Sequence, residues 1–408
     1  MKYRRSHCAA LVLLVTFCGS GALASSAILH GPSPAGQALS VETYAGPVAV
    51  TVSAGKPSAS VTILILLNTL SPANRDQIKA DLLEYFPQFH GRPVQLAFLG
   101  TGEFAGPFPV TSRARFKQLL DRVASEQEIE PVLEPSLIDD LVAVVPKLGP
   151  SRSRLLLVGD FPKLDAASAI FASAVLAKAC SGQQLRPTLI SANAQQDWSE
   201  VFRSLGGDLV ASVKDLSLPP SSSLEALTKL DWTTPLPTAG FVVTRSKITG
   251  EQGASIAEVP DLSVADGMTV PSVQQYSDSQ KKLAEAESLL AQEPFTQERA
   301  YHIREDVQAA LQLNPREPTA LTVATSLYEK AKDYRSAVNM SAFLVEVRPR
   351  DGLAFASFGH VLLLNSELDR AEAALNRAHD LGIVNVQSNE DFARLHVARK
   401  DEDRKSVV

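Results

Sequence analysis

The side chains able to ligate a metal or attack a carbonyl are few and scattered in this 408-residue chain. It holds seven histidines and three cysteines. His7 lies in a basic and apolar N-terminal segment. His30, His90, His302, His360, His379 and His396 form no close pair with metal-ligand spacing. They are read as surface or packing residues. Cys8 and Cys18 sit in the same N-terminal segment, so Cys180 is left alone and an intramolecular disulfide framework is excluded. Cys180 falls in FASAVLAKAC, a helical stretch where buried packing is its expected role. There is no H-E-x-x-H, no G-x-S-x-G elbow and no P-loop; TGEFAG has its glycines but no lysine to meet a phosphate. Asp139-Asp140 and Glu126, Glu128 and Glu130 read as solvated helix faces rather than acid and base. The expectation is a protein that is not an enzyme. A hydrolase whose site is assembled from distant residues ranks behind two binding readings.

The formal net charge is −6, with 45% hydrophobic and 21% charged residues. That composition supplies cores for two or three domains and argues against a nucleic-acid-binding protein with a global basic field. Lys2, Arg4 and Arg5 precede the apolar run CAALVLLVTFC, and Ala22-Leu23-Ala24 fits a small-residue cleavage site. Residues 1–24 are therefore read as a signal peptide, and the mature chain as exported, either periplasmic or secreted. The run of 11 residues is too short to span a bilayer, which takes about 20. No later stretch is long and apolar enough, so no transmembrane span is expected in the mature chain.

Such residues need a scaffold, and the next segments supply one. Residues 25–57, rich in Ser, Ala, Gly and Pro, read as a flexible lead-in with a possible edge strand. VTILILL at 61–67 is a run suited to a strand buried on both faces. Ser71-Pro72 then opens a helix with Ile78, Leu82, Leu83, Tyr85 and Phe86 on one stripe. Further strands are read at 93–100, 154–160, in LRPTLISAN and in DLVASV. Helices lie between them: TSRARFKQLLDRVASE, capped by Thr111 or Ser112, then PSLIDDLVAVVPKLG, DAASAIFASAVLAKACS and DWSEVFRSLGG. Strands alternating with helices imply βαβ units, hence an α/β doubly wound, Rossmann-like sheet domain over 58–215. Residues 216–278 read as a linker with a possible β-hairpin in TAGFVVTRSKITGEQGASIAEVP.

Beyond residue 278 the pattern is helical, over 279–383, with a C-terminal helix or tail at 384–408. Pro315 and Pro349 stand 34 residues apart. Leu321, Ala324, Tyr328, Ala337 and Leu344 are followed one period later by Phe355, Phe358, Leu362, Ala371 and Ala378. This period resembles the tetratricopeptide repeat, a 34-residue helix-turn-helix unit. Two repeats fit over 318–383, and 279–315 reads as an irregular first helical pair. The all-α part is thus expected to be tetratricopeptide-like.

The order VTILILLNTLSP, long helix, second strand and RLLLVGDFP resembles a von Willebrand factor type A domain of the diverged kind found in exported bacterial proteins. In that family a divalent metal sits at the carboxyl end of the sheet, on Asp-Xaa-Ser-Xaa-Ser, a later Thr and a further Asp. Here Asn68 takes the first Asp position, Leu70 and Pro72 take the two Ser positions, and Ser71 is out of phase. Asp160 matches the last Asp, and Thr101 or Thr111 is the candidate Thr. The resemblance therefore implies a degenerate site with Asn68, Ser71 and Asp160 as its remnants; no cofactor is expected, and magnesium is the only candidate.

The repeat resemblance implies that the first helix of each repeat lines a concave surface for a protein partner. Those positions are Thr322, Ser326, Glu329, Ala356, His360 and Leu363. The reading adopted is a non-enzymatic interaction or scaffold protein of the bacterial cell envelope. The alternative is a metal-dependent adhesion domain with an atypical ligand set.

Overall fold

The computed structural model describes residues 22–30, 39–43, 46–54, 60–100, 103–124, 131–148, 154–183, 185–191, 196–205, 207–218, 227–235, 237, 239–250 and 255–406. The segment read as a signal peptide falls outside these residues up to residue 21, as do Thr101 and the run containing Glu126, Glu128 and Glu130.

Four strands precede the α/β domain: β1 (Ala22–His30), β2 (Ser40–Thr43), β3 (Gly46–Ala49) and β4 (Thr51–Ala54). The domain then runs β5 (Val61–Leu66), α1 (Pro72–Tyr85), β6 (Val94–Leu99), β7 (Phe104–Val110), α2 (Arg113–Ala124), α3 (Ser136–Val144), β8 (Arg154–Val158), α4 (Ala166–Gln183), β9 (Arg186–Ile190), α5 (Gln196–Ser204) and β10 (Leu209–Val210). Its six-stranded sheet has the order β10-β9-β8-β5-β6-β7. Five strands are parallel, and β7 runs antiparallel on the edge. A parallel return from β6 would need a crossover of a dozen residues or more. Instead a tight turn, closed by Gly100 N–H donating to the Glu103 carbonyl at 2.9 Å, sends the chain straight back. Pro107 and Pro109 are tolerated on this edge strand because its outer face has no ladder to complete.

All six residues of β5 are buried, so the strand is covered on both faces. Ile63 and Ile65 pack with Leu82 of α1 and with Phe116, Leu119 and Leu120 of α2. Leu64 and Leu66 pack on the other face with α3, with Phe171 of α4 and with Trp198 and Phe202 of α5. Burying each such side chain contributes about 1.5–3 kcal/mol. Cys180 lies in this second core on α4, where burial pushes its thiol pKa up to about 12.

Three more strands follow: β11 (Leu227–Pro235), β12 (Phe241–Thr249) and β13 (Ser255–Val264). The lead-in of 25–57 carries strands that pair with them. One sheet has the order β1-β11-β4, the other β13-β12-β2-β3. The inner faces of the two sheets meet through Leu39, Val41, Leu230, Trp232, Ile248 and Val259. Within the 216–278 segment, β12 and β13 form an antiparallel hairpin where one was read as possible, and Phe241 and Leu262 join the core beneath α4.

The C-terminal part is all helical: α6 (Val273–Ala291), α7 (Gln297–Leu313), α8 (Pro318–Lys330), α9 (Tyr334–Val347), α10 (Gly352–Leu364), α11 (Leu368–Asp380) and α12 (Val386–Ser406). The fold is a mixed α/β domain followed by a run of helices. The starts of α8, α10 and α12 are spaced by 34 residues, and the turns repeat with the same period. Lys332 and Ser366 both adopt positive φ, 60° and 61°. Asp333 N–H donates to the Tyr328 carbonyl, and its counterpart Glu367 N–H donates to Leu362. Gly359 has no Cβ because one there would sit 2.7 Å from Leu375 Cγ, where α10 crosses α11.

The helices are fused to the α/β domain. Val273 and Tyr276 of α6 belong to its core, with Tyr276 stacked on Phe171 at 4.3 Å between ring centres. Asp139 of α3 accepts from Val273 N–H at 2.7 Å and from Gln274 N–H at 3.2 Å, capping α6 from across the junction. Asn314 exchanges two hydrogen bonds with the backbone of Phe241, both 3.1 Å. No helix among the described residues is long and apolar enough to cross a membrane.

Candidate functional site

Two places gather polar side chains where the fold has reason to put them. The first is the carboxyl end of the parallel strands. In the domain's own strand count the sheet order is 3-2-1-4-5-6, so strand order reverses between β5 and β8. In open α/β sheets the crevice at this reversal is where ligands bind. Asn68 and Thr69 follow β5 in a single 3-10 turn, and Asp160 follows β8. Asn68 and Asp160 are 8% and 6% exposed.

All but the Asn68 side-chain oxygen are tied inward. Thr69 Oγ donates to the Leu66 carbonyl at 2.9 Å and accepts from Asp160 N–H at 3.1 Å. Ser191, just past β9, donates to Asp160 Oδ1 at 2.5 Å. Val132 N–H donates to the Asn68 carbonyl at 2.8 Å, which brings the 131–135 loop over the turn. Ser71 Oγ accepts from Asn74 N–H and caps α1. The buried guanidinium of Arg75 donates to the carbonyls of Leu67 and Leu70, flanking Asn68 with a cation. Asn68 Oδ1 has no hydrogen-bond partner. Gly159 stands between β8 and Asp160 because a Cβ there would meet Thr69 Oγ at 2.5 Å.

Of the three residues marked from sequence, Asn68 and Asp160 therefore meet at one end of the sheet, and Ser71 is occupied as a helix cap. Thr111 is exposed beside Ser112, which caps α2 by accepting from Arg115 N–H. A magnesium ion takes oxygen ligands in octahedral geometry, held by one or more carboxylates. This end offers one carboxylate and an adjacent buried guanidinium, and the donor set does not fit that ion. Among the described residues no three His, Cys, Asp or Glu are grouped to hold a metal. The sequence reading missed Thr69, Arg75 and Ser191. The signal for Thr69 and Ser191 was their place just past a buried strand, three residues after β5 and one after β9.

The second place is the face shared by α8, α10 and α12. Thr322 is exposed and its hydroxyl bonds back to the Pro318 carbonyl at 2.9 Å. Ser326, Ala356 and Leu363 are half-buried, and Leu353 near the start of α10 is 60% exposed. Glu329 and His360 are not isolated surface groups. His360 Nε2 lies 3.4 Å from Glu329 Oε1, and Nδ1 lies 2.9 Å from Asp391 Oδ1. The Glu329 contact, with Asp391 adding to it, outweighs burial and raises the His360 pKa to about 9. Asp391 also accepts from Gln387 at 3.3 Å and lies 3.8 Å from Arg394. The sequence reading placed His360 on this face and did not foresee Asp391, which arrives from the segment read as a C-terminal helix or tail.

Compared with known protein families and with curated proteins, the chain matches none.

Proposed function

We propose that this chain is an exported, non-enzymatic protein that binds a protein partner through the α8–α10 face, and that its α/β domain serves as the rigid base for that face. The observation that carries the reading is the 34-residue period in helix starts, turn hydrogen bonds and positive-φ positions. A repeat of this kind stacks first helices side by side and presents them as one surface. In this reading the helices are tetratricopeptide-like, the α/β domain is von Willebrand factor A-like, and its strand order and edge strand support that likeness. On this reading the top of the sheet works without metal: Thr69, Asp160 and Ser191 are bonded to one another, and Arg75 sets a cation beside Asn68. Thr322, Ala356 and Leu363 are the contact residues, with Ser326 at the margin, while Glu329 and His360 shape the face through their own pairing. Export rests on the N-terminal charge and cleavage pattern.

The test compares full-length variants, because cutting the chain before α6 would strip Val273 and Tyr276 from the α/β core. A crosslinking pull-down from envelope extract uses the wild-type chain, Ala356→Arg on the repeat face and Leu133→Glu on the rim of the sheet. Loss of one captured protein with Ala356→Arg alone supports the reading. Loss with Leu133→Glu alone moves recognition to the sheet and removes it.

A further inference from the structure

We propose that α12 is a pH-responsive latch on the repeat face, held where the His360 ring bridges Glu329 of α8 and Asp391 of α12, and that its release opens the α10 face. The partner-uncovering half of this statement rests on the binding reading above; the latch itself does not.

The geometry is a ladder across three helices. Its rungs are Glu329, His360 and Asp391, each 31 residues after the last, one helical turn less than the repeat. The ring touches one carboxylate with each nitrogen, at 3.4 Å and 2.9 Å. Only an imidazolium donates from both nitrogens; a neutral ring has one N–H to give. Deprotonation therefore breaks a rung whichever tautomer forms. Asp391 is 1% exposed, so it cannot exchange the ring for water without moving α12.

The groups facing the ring are Glu329 from α8 and Asp391 from α12. Behind Asp391 stand Gln387 and Arg394, with Glu390 at 3.7 Å from Arg394. Among the described residues no charged group of α9 or α11 reaches the ring. The remaining hold on α12 is apolar, Phe392 and Leu395 against Val361, Leu362, Ala371 and Ala374, together with Arg399 on Asp369 and Glu372. The Arg399 pairs are half-exposed and screened by water. Lifting α12 would bare the apolar group on α10 and α11.

The sign follows from the shift. His360 is protonated more readily in the folded chain, at about 9 against 6.5. Its contribution is complete below pH 6.5 and fades as pH rises to about 9.

The experiment is amide hydrogen exchange on the full chain, without partner, from pH 6 to 9.5, corrected for intrinsic exchange. In the wild-type chain the opening of residues 386–399 should rise by up to about tenfold per pH unit between 6.5 and 9. His360→Gln should be open already at pH 6.5 with a flat profile, and His360→Arg should stay closed at pH 9. Opening that ignores pH in the wild-type chain, or His360→Gln behaving as wild type, overturns the latch. If His360→Gln does not fold, the ring is followed by NMR. A midpoint well above 6.5 that falls in Glu329→Gln supports the ladder, and a midpoint near 6.5 overturns it. Because no partner is present, a failed pull-down and a failed latch remain separate results.

Discussion

The top of the α/β sheet and the face of the helical repeats hold comparable polar residues, yet they use them in opposite ways. At the sheet, Thr69, Asp160 and Ser191 are buried and bonded to one another within a few residues of strand ends, and Arg75 pins the turn beside them. The residues are close because the strands are in register. On the repeats, Glu329, His360 and Asp391 come from three helices and stay half-open to water at one end. The lesson concerns slack. A set of groups fixed by a parallel sheet behaves as part of the core, whereas a set strung across stacked helices can be changed by one proton.

The sharpest way to break this contrast is Gly159→Val. Its Cβ would press on Thr69 Oγ and Leu66 at a backbone φ of +152°. A stability loss of about 3 kcal/mol or more is expected in urea unfolding. A loss under about 1 kcal/mol would mean that the sheet end has room to yield. Next comes Asp139→Ala, which leaves two N–H groups of α6 uncapped at the junction. The expected cost is about 1–2 kcal/mol in the same assay, with faster amide exchange in the first turn of α6. No change there would say that Ser272 alone caps the helix. The smallest effect belongs to Leu353→Glu. Its side chain stands mostly in solvent, so stability should hold within about 0.5 kcal/mol while partner capture falls. Intact capture would mean that the contact surface does not extend to the exposed Leu353 at the start of α10.

Much of the α/β half was legible because its information is local. A run such as VTILIL is buried on both faces wherever it goes, and Ser71-Pro72 starts a helix with no help from elsewhere. The flanking sheets were legible only as a possible edge strand in 25–57 and a possible hairpin in 216–278; the rest of their pairing was not, because the partners are remote. Ser40 pairs with Thr249, and Thr228 with Ala54. Neither strand has a strong pattern, and Ser, Ala, Gly and Pro around them read as loose chain. β7 was missed for its prolines, which only an edge tolerates. In the candidate sites, Asn68 and Asp160 could be found from strand ends, but Ser191 joined them only through the sheet. His360 could be placed by the repeat period. Asp391 could not, since α12 has the composition of a solvated tail and only its start at Val386 keeps the period.

The pairing of β4 with β11 has a mechanical consequence. Ala54 and Thr228 face each other at the neck through which the chain passes into and out of the six-stranded sheet. Residues 60–218 are therefore inserted between β4 and β11 and closed off at that neck. Phe241, Leu262, Val273 and Tyr276 grip the same stretch from its other side, so a pull along the chain loads the α/β domain together with the neck.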